Sequence, residues 1–146
     1  MNCWPFWCRY SGDPYWTDGP QVTIPDDPLP GAGPIVVQLS NLPAGQYLVQ
    51  ADVQLHTATH TVFDCRYIDA AGLPHYDVEE TAEPQPAGSD EVMTAMPMLF
   101  TVDLPSGGNV PIQCLSNPYD YSTSSPDRTQ GQAFISATTV GRLTGQ

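Results

Sequence analysis

Two histidines, His56 and His60, lie four residues apart on either side of a short polar segment. If that segment is a turn between strands, the two imidazole rings come close enough to share a metal ion. Asp52 lies on the same strand face as His56, but no further ligand is evident nearby, and a zinc site needs three or four. We therefore expect two polar histidines at a loop, and we predict neither a metal site nor a cofactor.

Carboxylates occur close together at two places, Asp26–Asp27 and the group Asp77, Glu79 and Glu80. Calcium takes six to eight oxygen ligands, and neither group has the spacing of a known calcium loop, so we expect solvated acids. The chain contains no Gly-x-Ser-x-Gly elbow and no glycine-rich phosphate loop, the patterns that position a nucleophile or a nucleotide. The sequence therefore does not predict an enzyme.

The four cysteines form two groups in the sequence. Cys3 and Cys8 flank an aromatic segment, whereas Cys65 and Cys114 lie within predicted strands. Reduced thiols are the usual state in a chain without an export signal, but a chain on an extracellular particle can oxidise later. A cross-strand Cys65–Cys114 disulfide and a pair of reduced, buried thiols therefore both stay open.

Tyr119, Asp120 and Tyr121 lie in a polar segment near the C-terminal end of the chain. Stacking rings beside an acidic hydrogen-bond acceptor are typical of carbohydrate sites. The alternative is that the two tyrosines pack their loop against the body of the protein. We keep these three residues as a candidate ligand-binding site.

Large aromatic residues are concentrated at the start of the chain. The first 16 residues contain six that we expect to bind a partner: Trp4, Phe6, Trp7, Tyr10, Tyr15 and Trp16. Each ring can bury roughly 150–250 Å², so the segment must pack on a surface. It either folds back over an open edge of its own sheet or docks in a groove of another subunit.

Composition narrows the class of protein. The 146 residues include 16 prolines and 12 glycines, which suit short strands joined by turns. Sixteen acidic residues against four basic ones give a net charge of −12, which disfavours direct binding to nucleic acid or to an anionic membrane. No apolar run is long enough to span a membrane, and we expect no signal peptide at the start.

The middle of the chain alternates between apolar and polar residues, as a half-buried antiparallel strand does. Five apolar side chains within residues 46–56 share one face: Tyr47, Val49, Ala51, Val53 and Leu55. A second alternating strand contains Phe63, Cys65 and Tyr67, and we predict that the two strands form a hairpin.

Further strands are predicted at residues 35–39, 98–104, 110–115 and 132–143, the last with Ala133, Ile135 and Ala137 inward. Pro111 cannot donate to a ladder, so we place its strand at a sheet edge. Residues 79–91 are rich in acids and predict an exposed loop. The prediction is an all-β protein with an antiparallel sandwich at 34–146, preceded by an aromatic arm and Pro/Gly-rich linker at 1–33.

Three segments carry a resemblance to a known family. They are residues 42–53 (LPAGQYLVQADV), 63–67 (FDCRY) and 135–143 (ISATTVGRL). Together they resemble the small jelly-roll β-sandwiches of the complement/tumour-necrosis-factor-like kind, with similar patterns in actinobacteria and their bacteriophages. The resemblance covers roughly residues 35–144 and rests on strand and turn patterns, so it implies a jelly-roll-like fold.

The resemblance, with the expected lack of an export signal, implies a bacteriophage structural protein located in the virion and assembled in the host cytoplasm. Within that class we expect a capsid decoration or minor capsid protein that the N-terminal arm anchors to major capsid or tail subunits. Such jelly rolls often form homo-oligomers, and a trimer is the expected state. The alternatives are a tail or fibre domain that binds a host glycan, or an actinobacterial surface binding module.

Overall fold

The computed structural model describes residues 15–24, 33–57, 61–82, 92–118 and 129–140, together with the backbone of residues 3–4 and 7–8. These residues form strands and turns without a helix, which confirms the predicted all-β class. The strands are β1 (Cys3–Trp4), β2 (Trp7–Cys8), β3 (Tyr15–Asp18), β4 (Val22–Thr23), β5 (Ile35–Leu42), β6 (Gly45–Thr57), β7 (Thr61–Ile68), β8 (Pro74–Ala82), β9 (Val92–Leu104), β10 (Gly108–Pro118) and β11 (Gln130–Thr139).

Two antiparallel sheets make up the sandwich. One has the strand order β5-β10-β7-β8, and the other has the order β3-β11-β6-β9, with β4 also paired to β11. The pairs are nested along the chain: β3 and β4 with β11, β5 with β10, β6 with β9, and β7 with β8. Successive pairs alternate between the two sheets, and this arrangement is a jelly roll. The predicted jelly-roll-like sandwich is therefore confirmed.

The core lies between the sheets and follows the predicted alternation. Every second residue of β6, from Tyr47 to Leu55, is at most 1% exposed. In β11, Ala133, Ile135 and Ala137 are buried as predicted. A two-residue side-chain period places these residues on one face, and that face meets the inner face of the opposite sheet.

The predicted hairpin between the strands now defined as β6 and β7 is wrong. β6 pairs with β9 along all of Gly45–Thr57 and with β11 on its other side, whereas β7 lies in the other sheet between β10 and β8. The chain crosses from one sheet to the other between Thr57 and Thr61. Alternation identifies the buried face of a strand but not its ladder partner, and the residues that pair between β6 and β9 are 35 to 59 positions apart in the chain.

Pro111 does not mark a sheet edge, because β10 is an inner strand between β5 and β7. Pro111 lies opposite Gln38 on the β5 side, and the ladder to β7 begins only at Ile112. The missing N–H of Pro111 therefore removes no hydrogen bond from the β7 ladder, and an inner strand accommodates the proline.

The predicted acidic loop at 79–91 begins later than expected. β8 continues to Ala82, so Glu79 and Glu80 are exposed strand residues, and residues 83–91 lie outside the described part. β8 is the last strand of its sheet. Charged side chains on an edge strand disfavour pairing with another chain. This explains why β8 is a strand although it is rich in acidic residues.

The sandwich begins before the predicted boundary at residue 33. β3 and β4 pair with β11, and Ile24 is fully buried in the core. Between them, the Gly19 N–H donates to the Ala133 carbonyl at 2.7 Å. A Cβ on Gly19 would lie 2.2 Å from the Val36 carbonyl oxygen, so only glycine fits this close approach. Residues 15–24 thus cover an edge of their own sheet, one of the two roles considered for the arm.

Candidate functional site

The outer side of the sheet formed by β3, β11, β6 and β9 carries several large apolar side chains among its polar residues. Five large side chains on this outer apolar face are between 38% and 64% exposed: Trp16, Leu48, Met93, Leu99 and Phe134. Cross-strand pairing places them on one face, since Leu99 lies opposite Gln50, Phe134 opposite Asp52, and Trp16 opposite Ser136. Exposed apolar residues gathered on one face are typical of an interaction surface.

Trp16 and Phe134 form the aromatic centre of this face. Trp16 lies diagonally across the β3–β11 ladder from Phe134, and the two rings stack with centroids 6.5 Å apart and planes 26° from parallel. Trp16 remains 64% exposed and Phe134 38% exposed. Rigid, half-exposed aromatic side chains of this kind act as anchors in protein interfaces.

Tyr15, the other described member of the predicted partner-binding set, points to the opposite side of β3. Its ring meets the buried ring of Tyr47 edge-on at 6.0 Å, and it is 40% exposed. The two neighbouring residues therefore have different positions: Tyr15 covers the end of the core, whereas Trp16 faces outward. In β1 and β2 the backbones of Trp4 and Trp7 lie opposite each other, whereas Phe6 and Tyr10 lie outside the described residues.

Asp52 adds a polar group to the middle of the outer apolar face. It lies in the row formed by Phe134, Asp52 and Pro97 across three strands. Its Oδ1 atom is buried and accepts no hydrogen bond from the described residues.

Trp16 belongs to the predicted partner-binding set, whereas four other members of this face were not predicted as surface residues: Leu48, Met93, Leu99 and Phe134. The outward positions of β6 include Gln50, and this made the whole face look polar. The available signal was the break in alternation at Leu48 and Leu99, where an apolar residue occupies an outward position.

Cys65 and Cys114 are joined by a disulfide, one of the two states that the sequence left open. They are direct neighbours on β7 and β10, with an S–S distance of 2.05 Å and a Cα–Cα distance of 4.1 Å. The Cys114 N–H donates to the Pro34 carbonyl on the β5 side, so the two cysteines form a non-hydrogen-bonded pair, where strands approach most closely. Both residues are completely buried.

A polar cluster occupies the outer side of the other sheet. Arg66 lies 3.5 Å from Asp64, and the neighbouring strand β8 places Asp77 opposite Arg66 and Glu79 opposite Asp64. Burial, a hydrogen bond with Asp77 and the nearby carboxylates raise the pKa of Asp64 to about 7, against the lowering effect of Arg66. The Asp64 carboxyl therefore holds a proton up to neutral pH.

The remaining residues predicted as candidate sites lie largely outside the described part of the chain. Tyr119, Asp120 and Tyr121 lie outside the described residues, as does His60, so the proposed histidine pair cannot be placed. Among the residues that the structure describes, no three His, Cys, Asp or Glu side chains are arranged to hold a metal ion. Nor does the described part contain a helix long and apolar enough to cross a membrane.

No protein-family model matches the chain, and no curated protein matches it in sequence. Solved structures of the infectious bursal disease virus do match in fold. The VP2 subviral particle superposes with a TM-score of 0.60 at 9% identity, covering 97% of this chain and 37% of that one. The T13 viral particle gives 0.58 at 11% identity, with 97% and 35% covered, and the Gx strain gives 0.56 at 8%, with 98% and 38%.

The chain thus spans little more than a third of the viral chains that it matches. At this level of identity the likeness establishes a shared fold, a β-sandwich that also occurs in proteins of a viral particle. It supports the β-sandwich part of the resemblance drawn from the sequence and does not extend to the complement/tumour-necrosis-factor-like kind.

Proposed function

We propose that this chain is a structural, non-enzymatic protein of a virus particle, and that it attaches to other particle subunits through the outer apolar face. The observation that carries the proposal is the exposed Trp16–Phe134 stack on a complete jelly-roll sheet. In the free protein the two rings expose apolar surface to water, which is unfavourable in free energy. Burying the rings against a neighbouring subunit removes this free-energy cost.

The fold supports the same role. Solved structures of a viral particle and of a subviral particle contain chains with this architecture, although the identity is near 10%. The net charge of −12 argues against contact with packaged nucleic acid and favours a position where the acidic surface faces solvent or a basic partner.

Within this class we propose a capsid decoration or minor capsid protein of a bacteriophage. The N-terminal segment would extend the contact made by Trp16, because Trp4, Phe6, Trp7 and Tyr10 precede it directly in the sequence. We also propose that the chain forms a homo-oligomer, with a trimer as the expected state. Its native mass in solution, measured by light scattering, tests this part, and a monomer at all concentrations would rule it out.

The attachment test compares full-length variants in a density gradient with viral particles purified from the source of the chain. Trp16→Ser with Phe134→Ser should remove the chain from the particle fraction, because two ring contacts are lost. Leu73→Ser is the matched control: Leu73 is 58% exposed but lies in the turn between β7 and β8, away from the outer apolar face. If the double variant sediments with particles as the wild type does, the face is not the attachment surface.

A further inference from the structure

A cleft opens at the edge of the sandwich where β8 of one sheet approaches β9 of the other. Its volume is about 520 Å³, within the range of roughly 300–1,000 Å³ typical of small-molecule sites. Six residues provide its aromatic and polar groups: Tyr67, Asp69, His75, Tyr76, Phe100 and Asp103. The cleft adjoins the outer apolar face along β9, where Leu99 alternates with the lining residues Thr101 and Asp103. The proposed anchors Trp16 and Phe134 lie toward the opposite edge of the sheet, on β3 and β11.

A stack of three rings forms one wall of the cleft. Phe100 lies between Tyr67 and Tyr76, with centroid distances of 5.5 Å and 5.1 Å and planes 19° and 25° from parallel. Tyr67 and Phe100 are almost buried, at 5% and 8% exposed, whereas Tyr76 is 41% exposed. Tyr76 is therefore the ring that a ligand can reach, and the two rings behind it hold it in place.

Tyr76 has a backbone conformation that residues other than glycine, asparagine and aspartate rarely adopt. Its φ angle is +45°, in the left-handed region. The Tyr76 hydroxyl accepts a hydrogen bond from the Leu99 N–H at 3.3 Å, so both ends of the residue are fixed. Strain of this kind persists where the surroundings determine a geometry, and ligand sites are common places for it.

Hydrogen bonds also hold polar groups of the cleft in fixed positions. The His75 Nε2 atom lies 2.7 Å from Asp69 Oδ2, and Asp69 Oδ1 accepts the N–H groups of Ala71 and Leu73 at 2.9 Å and 2.8 Å. The His75 hydrogen bond and these backbone donors hold the pKa of Asp69 below its usual range. The imidazole therefore stays in one orientation, and Asp103 supplies an exposed carboxylate from β9.

These groups together restrict the class of ligand. Among the residues that the structure describes, no arginine lines the cleft and two carboxylates do, so an anion would be repelled. A purely apolar ligand would leave the oxygens of Asp103 and the nitrogen of His75 without partners. A neutral sugar ring fits both features, since its C–H face packs on an aromatic ring while its hydroxyls donate to the Asp103 carboxylate and to the His75 Nδ1 atom, which is an acceptor when Nε2–H donates to Asp69.

We propose that the cleft between β8 and β9 binds a neutral pyranose sugar, with Tyr76 as the stacking platform and with Asp103 and His75 as the hydroxyl partners. In a particle protein, such a site would place the chain against a glycan. The cleft is a different site from the Tyr119–Tyr121 segment that the sequence suggested for sugar binding. The proposal does not depend on particle attachment, because the site lies within one chain.

The test is a titration of the ¹⁵N-labelled full-length protein with neutral sugars, followed by two-dimensional NMR. The probes are glucose, galactose, mannose, rhamnose and N-acetylglucosamine. We expect saturable shifts of the Tyr76, Thr101 and Asp103 amides with at least one sugar, at millimolar affinity. Tyr76→Asn removes the ring but tolerates the positive φ, and it should weaken binding at least tenfold. Ile35→Ala, on the edge strand β5 outside both the cleft and the outer apolar face, should leave the affinity unchanged.

Three results would overturn the proposal. The first is an absence of saturable shifts with every sugar of the panel. The second is equal affinity in the wild type and in Tyr76→Asn, once the amide spectrum shows that the variant is folded. The third is stronger binding of arginine or choline than of any sugar, lost on raising the salt concentration, because that would identify the cleft as a cation site.

Discussion

Removing the Cys65–Cys114 disulfide should cost this protein a large share of its stability. The bond joins residues 49 apart in the sequence, so it closes a loop of about 50 residues in the unfolded chain. The chain-entropy relation gives a loss of roughly 14 cal/mol/K for such a loop, which is about 4 kcal/mol at 25 °C. Folded domains are stable by only about 5–15 kcal/mol, so the effect is easily measured.

The variant Cys65→Ala with Cys114→Ala removes this bond alone and leaves the other cysteines of the chain unchanged. Urea unfolding followed by fluorescence gives the free energy of unfolding of the wild type and of the variant. Because both sulfurs are fully buried, the variant also loses some packing, and the expected difference is at least about 3 kcal/mol. A difference below about 1 kcal/mol, or rapid labelling of both cysteines in the native wild type, would refute the reasoning.

Three further substitutions test the packing and the electrostatics. Tyr47→Phe removes a hydroxyl that donates to the Pro43 carbonyl at 2.7 Å, and urea unfolding should show a loss of about 1–2 kcal/mol; no loss would mean that water replaces the bond. Gly19→Ala should lower the melting temperature through its clash with the Val36 carbonyl oxygen, and an unchanged value would place residues 15–24 away from β5. The pKa of Asp64 in the folded protein is about 7, above its ordinary value of 3.8. The wild type should therefore gain stability as the pH falls from about 8 to about 5, whereas Asp64→Asn should not show this gain. Urea midpoints that change in parallel with pH in the two proteins would contradict the assignment.

The sequence predicts the faces of strands better than their partners. The alternation at Tyr47, Val49 and Ala51 is local, so the buried side of β6 could be inferred without knowing the fold. The partner of β6 could not, because the ladder to β9 joins residues that are far apart and loop entropy depends only weakly on that distance. The wrong β6–β7 hairpin followed from the general preference for pairing between neighbouring strands.

The candidate sites were harder to predict for a related reason. Trp16 was found because it belongs to an aromatic cluster in the sequence, but Phe134 joins it only through the β3–β11 ladder. Likewise, the cleft brings together Tyr67, Tyr76 and Phe100 from three strands in two sheets. No spacing within the chain marks such a site, because its members meet only once the nested strand pairs have formed.

The central claim is that the outer apolar face attaches this jelly roll to a virus particle. A cryo-electron microscopy reconstruction of particles purified from the source of the chain tests it most directly. The account predicts density for the sandwich with Trp16 and Phe134 buried against another subunit and with β8 away from that contact. Particles that lack the chain, or a bound sandwich whose outer apolar face is open to solvent, would contradict it.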